Sequence, residues 1–477
     1  MFNKFTKSLN ALTQFLDNSC QTKNLKHIKN LYGHLITTGS LCVAPYIHTK
    51  LIFLYTTSHT QETQLKTLTN CCKILNPNDP LPFNLLLSDF CKNGCPLYAV
   101  KILNFMHKNS VSLDTYALCS SLVASCCMKN VRFGEQIHTH VIKLGWLCSV
   151  FVGSALVDLY AKLSFLRDAA RVFDEIPVRN TVCANALLSG FIEAKLWNQG
   201  VELIKEMPVL NLVYDRFTFS AMLRISAGLP AVEFGKEVHG LVIRRVYGDL
   251  ESDVFMQSSL IEMYGKCGHV NQALRVFNMA GFRIGRNINR DIVLWTSMLG
   301  VFGRNGQFEE VIALFKEMLK EGMKPDGVAY VTVISACGHT GQVELGIEYF
   351  ESMSRDFNIN PSPEHYSCVV DLFCRAGQLD KAWKVVDELL TKGHGNYSIS
   401  MWGALLSACE KNGILELGEV AAQEALKLEP QNVGIYMMLS NLYAKLGKWD
   451  EIKHLREIMK ERQLKKDVGC SWIEITS

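Results

Sequence analysis

The chain repeats itself, and that limits its fold more than any other feature. The segment Asn84-LLLSDF-90 returns as Asn185-ALLSGF-191 and again as Thr296-SMLGVF-302, offsets of 101 and 111 residues. Ser154-ALVDLYAK-162 returns as Ser258-SLIEMYGK-266, 104 residues on, and Phe133-GEQIHTHVIK-143 as Phe234-GKEVHGLVIR-244, 101 residues on. A single superperiod of about 101 residues, divided into units of 35, 35 and 31, generates all three families. The units run 80–114, 115–149, 150–180, 181–215, 216–253, 254–291, 292–326, 327–362 and 363–397. Unit 216–253 carries about three extra residues and unit 254–291 about seven, which fall within Gly281–Asn289. Residues 1–79 hold two poorer units joined near Leu41–Ala44.

Each unit has the pattern of two helices. In 292–326, Val311, Ile312, Phe315, Met318 and Leu319 follow the spacing of one apolar helix face, with Gly306 before the helix, Gly322 at its end and Pro325 beyond. The preceding helix carries Met298, Leu299, Val301 and Phe302. A helix pair this short cannot bury its apolar faces alone, so stacking on neighbours must complete the core. The expected fold is all-α, a superhelix of stacked pairs with a long concave surface, and strand signals are minor.

Composition agrees and narrows the class. At 477 residues the chain exceeds the size at which one core stops growing, about 250–300 residues. With 48% hydrophobic and 20% charged residues, disorder is a poor description. Lys plus Arg (49) nearly balances Asp plus Glu (46), so any basic surface must be local. The 17 cysteines are odd in number and none are spaced C-x-x-C, which reads as reduced, buried thiols. No uncharged apolar run is long enough for a membrane span and no signal-peptide h-region is present. The start is poor in acids: Asp17 is the only one before Glu62. Two readings fit, an organelle-directed leader or a basic first repeat.

Enzymatic motifs are missing. A zinc deaminase needs H-x-E and C-x-x-C, a zincin needs H-E-x-x-H, and a P-loop needs Gly-Lys followed by Ser or Thr; none occurs. Cys267-Gly-His269 and the pair His138/His140 are the nearest metal-like clusters, and their recurrence at fixed repeat positions favours packing. No cofactor, catalytic or metal site is expected.

Units of 31 to 36 residues in long, short and standard order resemble the plant pentatricopeptide repeat family, PLS subclass. The resemblance is carried by Gln136-IHTHVIKLG-145, Val150-FVGSALVDLYAK-162, Ala169-ARVFDEIP-177, Phe315-KEMLKEGMKPD-326 and His365-YSCVVDLFCRAGQLDKA-382, and covers roughly 40–475. At the C-terminus, Trp402-GALLSACEKNG-413 with Glu416-LGEVAAQEALKLEP-430 resembles a first E motif. Tyr436-MMLSNLYAKLGKWDE-451 through Gly469-CSWIEI-475 resembles a second. The implied organisation is 1–40, a leader plus degenerate first repeat; 41–397, the repeat array; 398–432 and 433–477, two E motifs similar to tetratricopeptide units. The implied fold is a right-handed α-solenoid superhelix. The deaminase-like domain that often follows in the family is not expected here, because the chain stops two residues after Ile475.

The resemblance also assigns residues. Helical repeats of this kind read one base of single-stranded RNA per unit. In the family the fifth and last residues of a unit contact the base edge, and the second wedges between bases. The fifth/last pairs are Thr49/Asp79, Asn84/Asp114, Cys119/Ser149, Ser154/Asn180, Asn185/Asp215, Ser220/Asp253, Ser258/Asp291, Thr296/Asp326 and Val331/Ser362. Cys119 and Val331 fit no clear pair, and the insertions make Ser220/Asp253 and Ser258/Asp291 depend on register. The wedge positions are Leu81, Tyr116, Phe151, Val182, Phe217, Phe255 and Val293. For the last-position Asp and Asn the competing role is helix capping; for the wedges it is ordinary core.

By resemblance, the array implies the target 5′-GYNAYNGGNN, where Y is a pyrimidine, upstream of an edited C. The implied role is an organellar adaptor, mitochondrial or alternatively chloroplastic, that selects sites for C-to-U editing by a deaminase supplied in trans. Rival readings are an organellar stabilisation, splicing or translation factor, and a tetratricopeptide-like protein scaffold.

Overall fold

The computed structural model describes residues 45–57, 61–245, 253–280, 282–283, 286–287, 290–391 and 398–464. The proposed leader at 1–40 and the end of the second E motif lie outside them. The chain divides into two compact units, Met1–Leu229 and Pro230–Ser477.

In the first unit the helices follow in pairs: α1 (Pro45–Thr57) and α2 (Gln61–Cys72), α3 (Leu81–Lys92) and α4 (Pro96–Lys108), α5 (Thr115–Cys127) and α6 (Val131–Lys143). After a single 3-10 turn at Trp146–Cys148 come α7 (Val150–Lys162) and α8 (Leu166–Glu175), α9 (Thr181–Glu193) and α10 (Trp197–Val209), and α11 (Arg216–Gly228). The second unit holds α12 (Val232–Arg245), α13 (Val254–Lys266), α14 (Val270–Met279), α15 (Ile292–Arg304), α16 (Phe308–Lys320), α17 (Gly327–Thr340), α18 (Val343–Phe357), α19 (Pro363–Arg375) and α20 (Leu379–Thr391). It ends with α21 (Ile399–Asn412), α22 (Leu415–Leu428), α23 (Val433–Lys445) and α24 (Trp449–Glu461). Strands are not wholly missing. Within the predicted insertion, β1 (Phe282–Arg283) and β2 (Arg286–Asn287) pair antiparallel. That difference from the all-helical expectation is local: two residues a side form a turn, not a sheet.

The helices form where caps and breakers allow. Asp114, Asn180, Asp215, Asp253 and Asp326 each accept the backbone N–H three residues on, supplying one of the orphan donors at the start of a first helix. First helices end in a tight left-handed turn. At Gly94, Gly268, Gly306, Gly377 and Gly447, φ lies between 69° and 77°. The next N–H then reaches a carbonyl five residues back, as in His269 N–H to the Tyr264 carbonyl at 2.8 Å. The same turn is made without glycine at Lys129, Ser164 and Lys195.

Packing follows from the pairing. Within each unit every first helix packs on its own second helix and on the next first helix, as α7 does on α8 and α9, and α19 on α20 and α21. First helices therefore form one layer, and most second helices back it. The predicted core of unit 292–326 is buried at Val311, Ile312, Phe315, Met318, Met298, Leu299, Val301 and Phe302, with Leu319 half-buried. Where first helices approach most closely the sequence supplies small residues. A Cβ on Gly190 would lie 2.8 Å from the Ala161 Cβ, too close to be borne without a shift.

Candidate nucleic-acid interface

The predicted wedge positions lie on the surface. Leu81, Tyr116, Phe151, Val182 and Phe217 in the first unit, and Phe255 and Val293 in the second, are all exposed, from 46% for Val293 to 76% for Phe151. Their neighbours one and two places on, such as Ala117 and Leu118 or Leu294 and Trp295, are buried. The wedges are therefore not core: each first helix turns its apolar face inward one residue later. Val328 extends the series and is 61% exposed, a position the sequence reading left out.

The fifth and last residues meet in three units. Asn185 Nδ2 donates to both carboxylate oxygens of Asp215, at 3.0 and 3.1 Å. The Thr218 hydroxyl lies 2.8 Å from Asn185 Oδ1 and 2.9 Å from Asp215 Oδ1, and the Thr218 N–H donates to that same Oδ1 at 2.8 Å. In unit 80–114, Asn84 Nδ2 donates to Asp114 Oδ2 at 2.7 Å. Here the residue equivalent to Thr218 is Ala117, which has no hydroxyl, and Asn84 Oδ1 is buried without a hydrogen-bond partner. In unit 150–180, Ser154 Oγ stands 2.7 Å from the Val150 carbonyl and 3.3 Å from Asn180 Oδ1.

In units 254–291 and 292–326 the two residues bond elsewhere. Ser258 Oγ donates to the Phe255 carbonyl at 2.9 Å, while Asp291, exposed, caps α15 through the Val293 N–H at 2.8 Å. Thr296 Oγ1 donates to the Ile292 carbonyl at 3.0 Å and Asp326 caps Ala329. Asp79 accepts from the Leu81 N–H at 3.0 Å. One predicted reader does not fit: Thr49 is fully buried, so its hydroxyl offers no edge to a base, a consequence of α1 turning this position into the core. Ser220 is also buried, and Ser362 is occupied by Glu364 and His365, at 2.6 and 2.7 Å. The last-position Asp and Asn residues thus cap helices and, in units 80–114, 150–180 and 181–215, also touch the fifth residue. One carboxylate or amide can do both because the N-cap of the next first helix lies beside the fifth residue of the previous one.

Of the metal-like pair His138/His140, His138 packs on the next first helix. His138 Nδ1 meets the Tyr160 hydroxyl at 3.1 Å, and the repeat-related His239 meets Tyr264 at 2.9 Å. Burial lowers both imidazoles below their ordinary pKa. Among the described residues no three His, Cys, Asp or Glu side chains are placed to hold a metal ion. Burial raises the thiols, Cys119 and Cys337 to about 11 and Cys72 and Cys374 to about 12, so they stay protonated.

Comparison with protein-family models matches residues 82–111, 182–212, 258–280 and 328–356 to the PPR repeat, 357–390 to a second PPR repeat description, 290–339 to the PPR repeat family and 413–474 to the E motif. Among curated relatives from Arabidopsis thaliana, the mitochondrial pentatricopeptide repeat-containing protein At2g03880 is 34% identical over 83% of this chain and 60% of its own length. The chloroplastic protein CRR2 is 35% identical over 76% of this chain and 53% of its own. The chain therefore spans a little over half the length of these relatives. Among solved structures, PPR10 in complex with an 18-nt psaJ RNA element superposes with a TM-score of 0.65 at 15% identity, covering 90% of this chain and 62% of that one. Repeats, capped helix pairs and C-terminal motif together make this chain a member of the pentatricopeptide repeat family, with an E motif after its repeats.

Proposed function

We propose that the chain is a sequence-specific reader of single-stranded RNA that selects organellar transcript sites, with C-to-U editing carried out by a deaminase bound in trans. The observation that carries the reading is the conjunction on the first helices of units 80–114, 150–180 and 181–215: one exposed apolar wedge, then, three residues on, a polar side chain in contact with the last residue of the unit. Exposed aromatic and branched side chains offer sequence-tolerant stacking to unstacked bases. The fifth residue, fixed by its partner, presents donors and acceptors to a base edge. When Asn185 is tied to Asp215, its amide nitrogen still carries a second N–H for a base. That PPR10 was solved on an RNA element supports the class of ligand. The E motif and the long/short order of units support editing over stabilisation. The exposed Trp449, within residues 398–475, supplies an apolar contact for a protein partner. The names of the relatives place such proteins in mitochondria and chloroplasts, and the mitochondrion is our first assignment.

The target proposed is 5′-GYNAYNGGNN, with its first G now resting on the buried Thr49 and so the least supported letter. The test is binding to an RNA carrying this string against one with both internal Gs changed to A, at two salt concentrations. Selective binding that weakens with salt is expected; equal binding would discard the string, and no binding by folded protein would discard the function.

A further inference from the structure

The network around Asn185 contains a hydroxyl that the packing of the stack does not require. Thr218 is the third residue of the following unit, and it is fully buried. At that place the units that begin at 115, 150, 254, 292 and 327 set Ala117, Val152, Met256, Leu294 and Ala329, all apolar and all buried. A buried hydroxyl costs free energy unless it is paired. The capping box accounts for part of its pairing: the Thr218 oxygen lies 2.9 Å from Asp215 Oδ1 and accepts the Asp215 N–H at 3.3 Å. It does not account for the contact at 2.8 Å with Asn185 Oδ1, which lies 33 residues back in another unit.

That contact acts on the orientation of the amide. The χ2 torsion of an asparagine is broad, with no sharp staggered wells to fix it. A contact at one end only, such as that of Asn84 Nδ2 with Asp114 Oδ2, leaves this torsion soft. Asn185 is held at both ends, Nδ2 by Asp215 and Oδ1 by Thr218. Its oxygen and nitrogen ends are thereby fixed, and the second Nδ2 N–H becomes a donor in a set direction. A donor set before the base arrives loses less freedom on binding than one the base must order.

We propose that Thr218 is a positioning residue for base reading: a third member of the Asn185/Asp215 pair, supplied by the next unit, that aims the amide at the pyrimidine in the fifth letter of GYNAYNGGNN. The inference rests on the RNA-reading function above. The full chain is compared with Thr218→Val, which removes the hydroxyl, and Thr218→Ser, which keeps it. The RNAs carry U, C, A or G at the fifth letter and, as an internal control, A or G at the fourth. Thr218→Val should lower the pyrimidine-over-purine affinity ratio at the fifth letter by about fivefold, the worth of one ordinary hydrogen bond. The ratio at the fourth letter should not move, and Thr218→Ser should keep the wild-type ratio at both. A role in stability alone would weaken all the RNAs together, so an unchanged fifth-letter ratio in Thr218→Val overturns the inference. If Thr218→Val does not fold, Ala117→Ser decides. It offers Asn84 Oδ1 the donor it lacks and should raise the pyrimidine preference at the second letter, and no change there overturns the inference. Wild-type protein that distinguishes the fourth letter but not the fifth overturns the inference while leaving the reader intact. Wild-type protein that binds none of these RNAs removes the function and the inference with it.

Discussion

Asn185 and Asn84 occupy the same place in their units, yet only Asn185 has its amide oxygen paired, and the difference is one hydroxyl. Thr218 serves Asn185 Oδ1, whereas Ala117 leaves Asn84 Oδ1 buried and unpaired. An unpaired buried acceptor costs about 1–3 kcal/mol, so Thr218→Ala should destabilise the chain by about that much in denaturant unfolding. It should also loosen the orientation of the Asn185 amide and weaken pyrimidine preference at that base. If stability is unchanged, water replaces the hydroxyl and the network argument fails. Thr296 carries a second residue-scale prediction. Its hydroxyl is spent on its own helix rather than on Asp326. Thr296→Asn puts an amide within reach of Asp326 as in Asn185/Asp215, and the preference opposite this unit should move from G toward pyrimidine. Binding indifferent to that base in both proteins would mean the register is misassigned.

At the scale of helices, the recurrent turn after each first helix explains why glycine recurs there and what its absence costs. Lys129, Ser164 and Lys195 hold φ of 51° to 66° in a turn that elsewhere uses glycine. Lys195→Gly should therefore stabilise the chain by up to about 1 kcal/mol, the relief of the left-handed conformation less the greater entropy of glycine in the unfolded chain. A loss of stability in thermal unfolding would contradict this. The His–Tyr pairs at the long/short junctions give the elements a pH dependence. His138 and His239 are held below their ordinary pKa of 6.5 chiefly by burial, with Glu175 acting the other way on His138. The unfolded chain then takes up protons more readily than the folded one, so stability declines as pH falls below about 6.5. The double variant His138→Gln/His239→Gln should flatten the difference in thermal midpoint between pH 7.5 and 5.5. An equal difference in the variant would assign the effect to other groups.

For the molecule as a whole, the fold was legible because its signal is repeated. One helix pair is ambiguous, but nine registers of the same pattern fix unit length, helix order and the positions that face inward. The wedges were visible as positions, but apolar residues at helical spacing read equally as core, and it is the exposure of Phe151 and Val182 beside buried Val152 and Cys183 that takes them out of the core. The fifth and last residues were legible as a pattern of amides, hydroxyls and carboxylates. What could not be read was which pairs close, since that depends on neighbours such as Thr218 that belong to the next unit. The burial of Thr49 had no local signal, because the units before residue 80 are degenerate. The insertion was located by period arithmetic, but the return of Arg290 to Phe277 across it required coordinates.

The most direct test of the account is the affinity of the purified chain for single-stranded RNA bearing GYNAYNGGNN, compared with the same RNA after both internal Gs are changed to A, at low and moderate salt. The account predicts preference for the first RNA, weakening of both with salt, and a loss of about 1–3 kcal/mol in binding for Phe151→Ala, the share of one stacked base. Folded protein that binds neither RNA, or whose binding ignores Phe151, contradicts it.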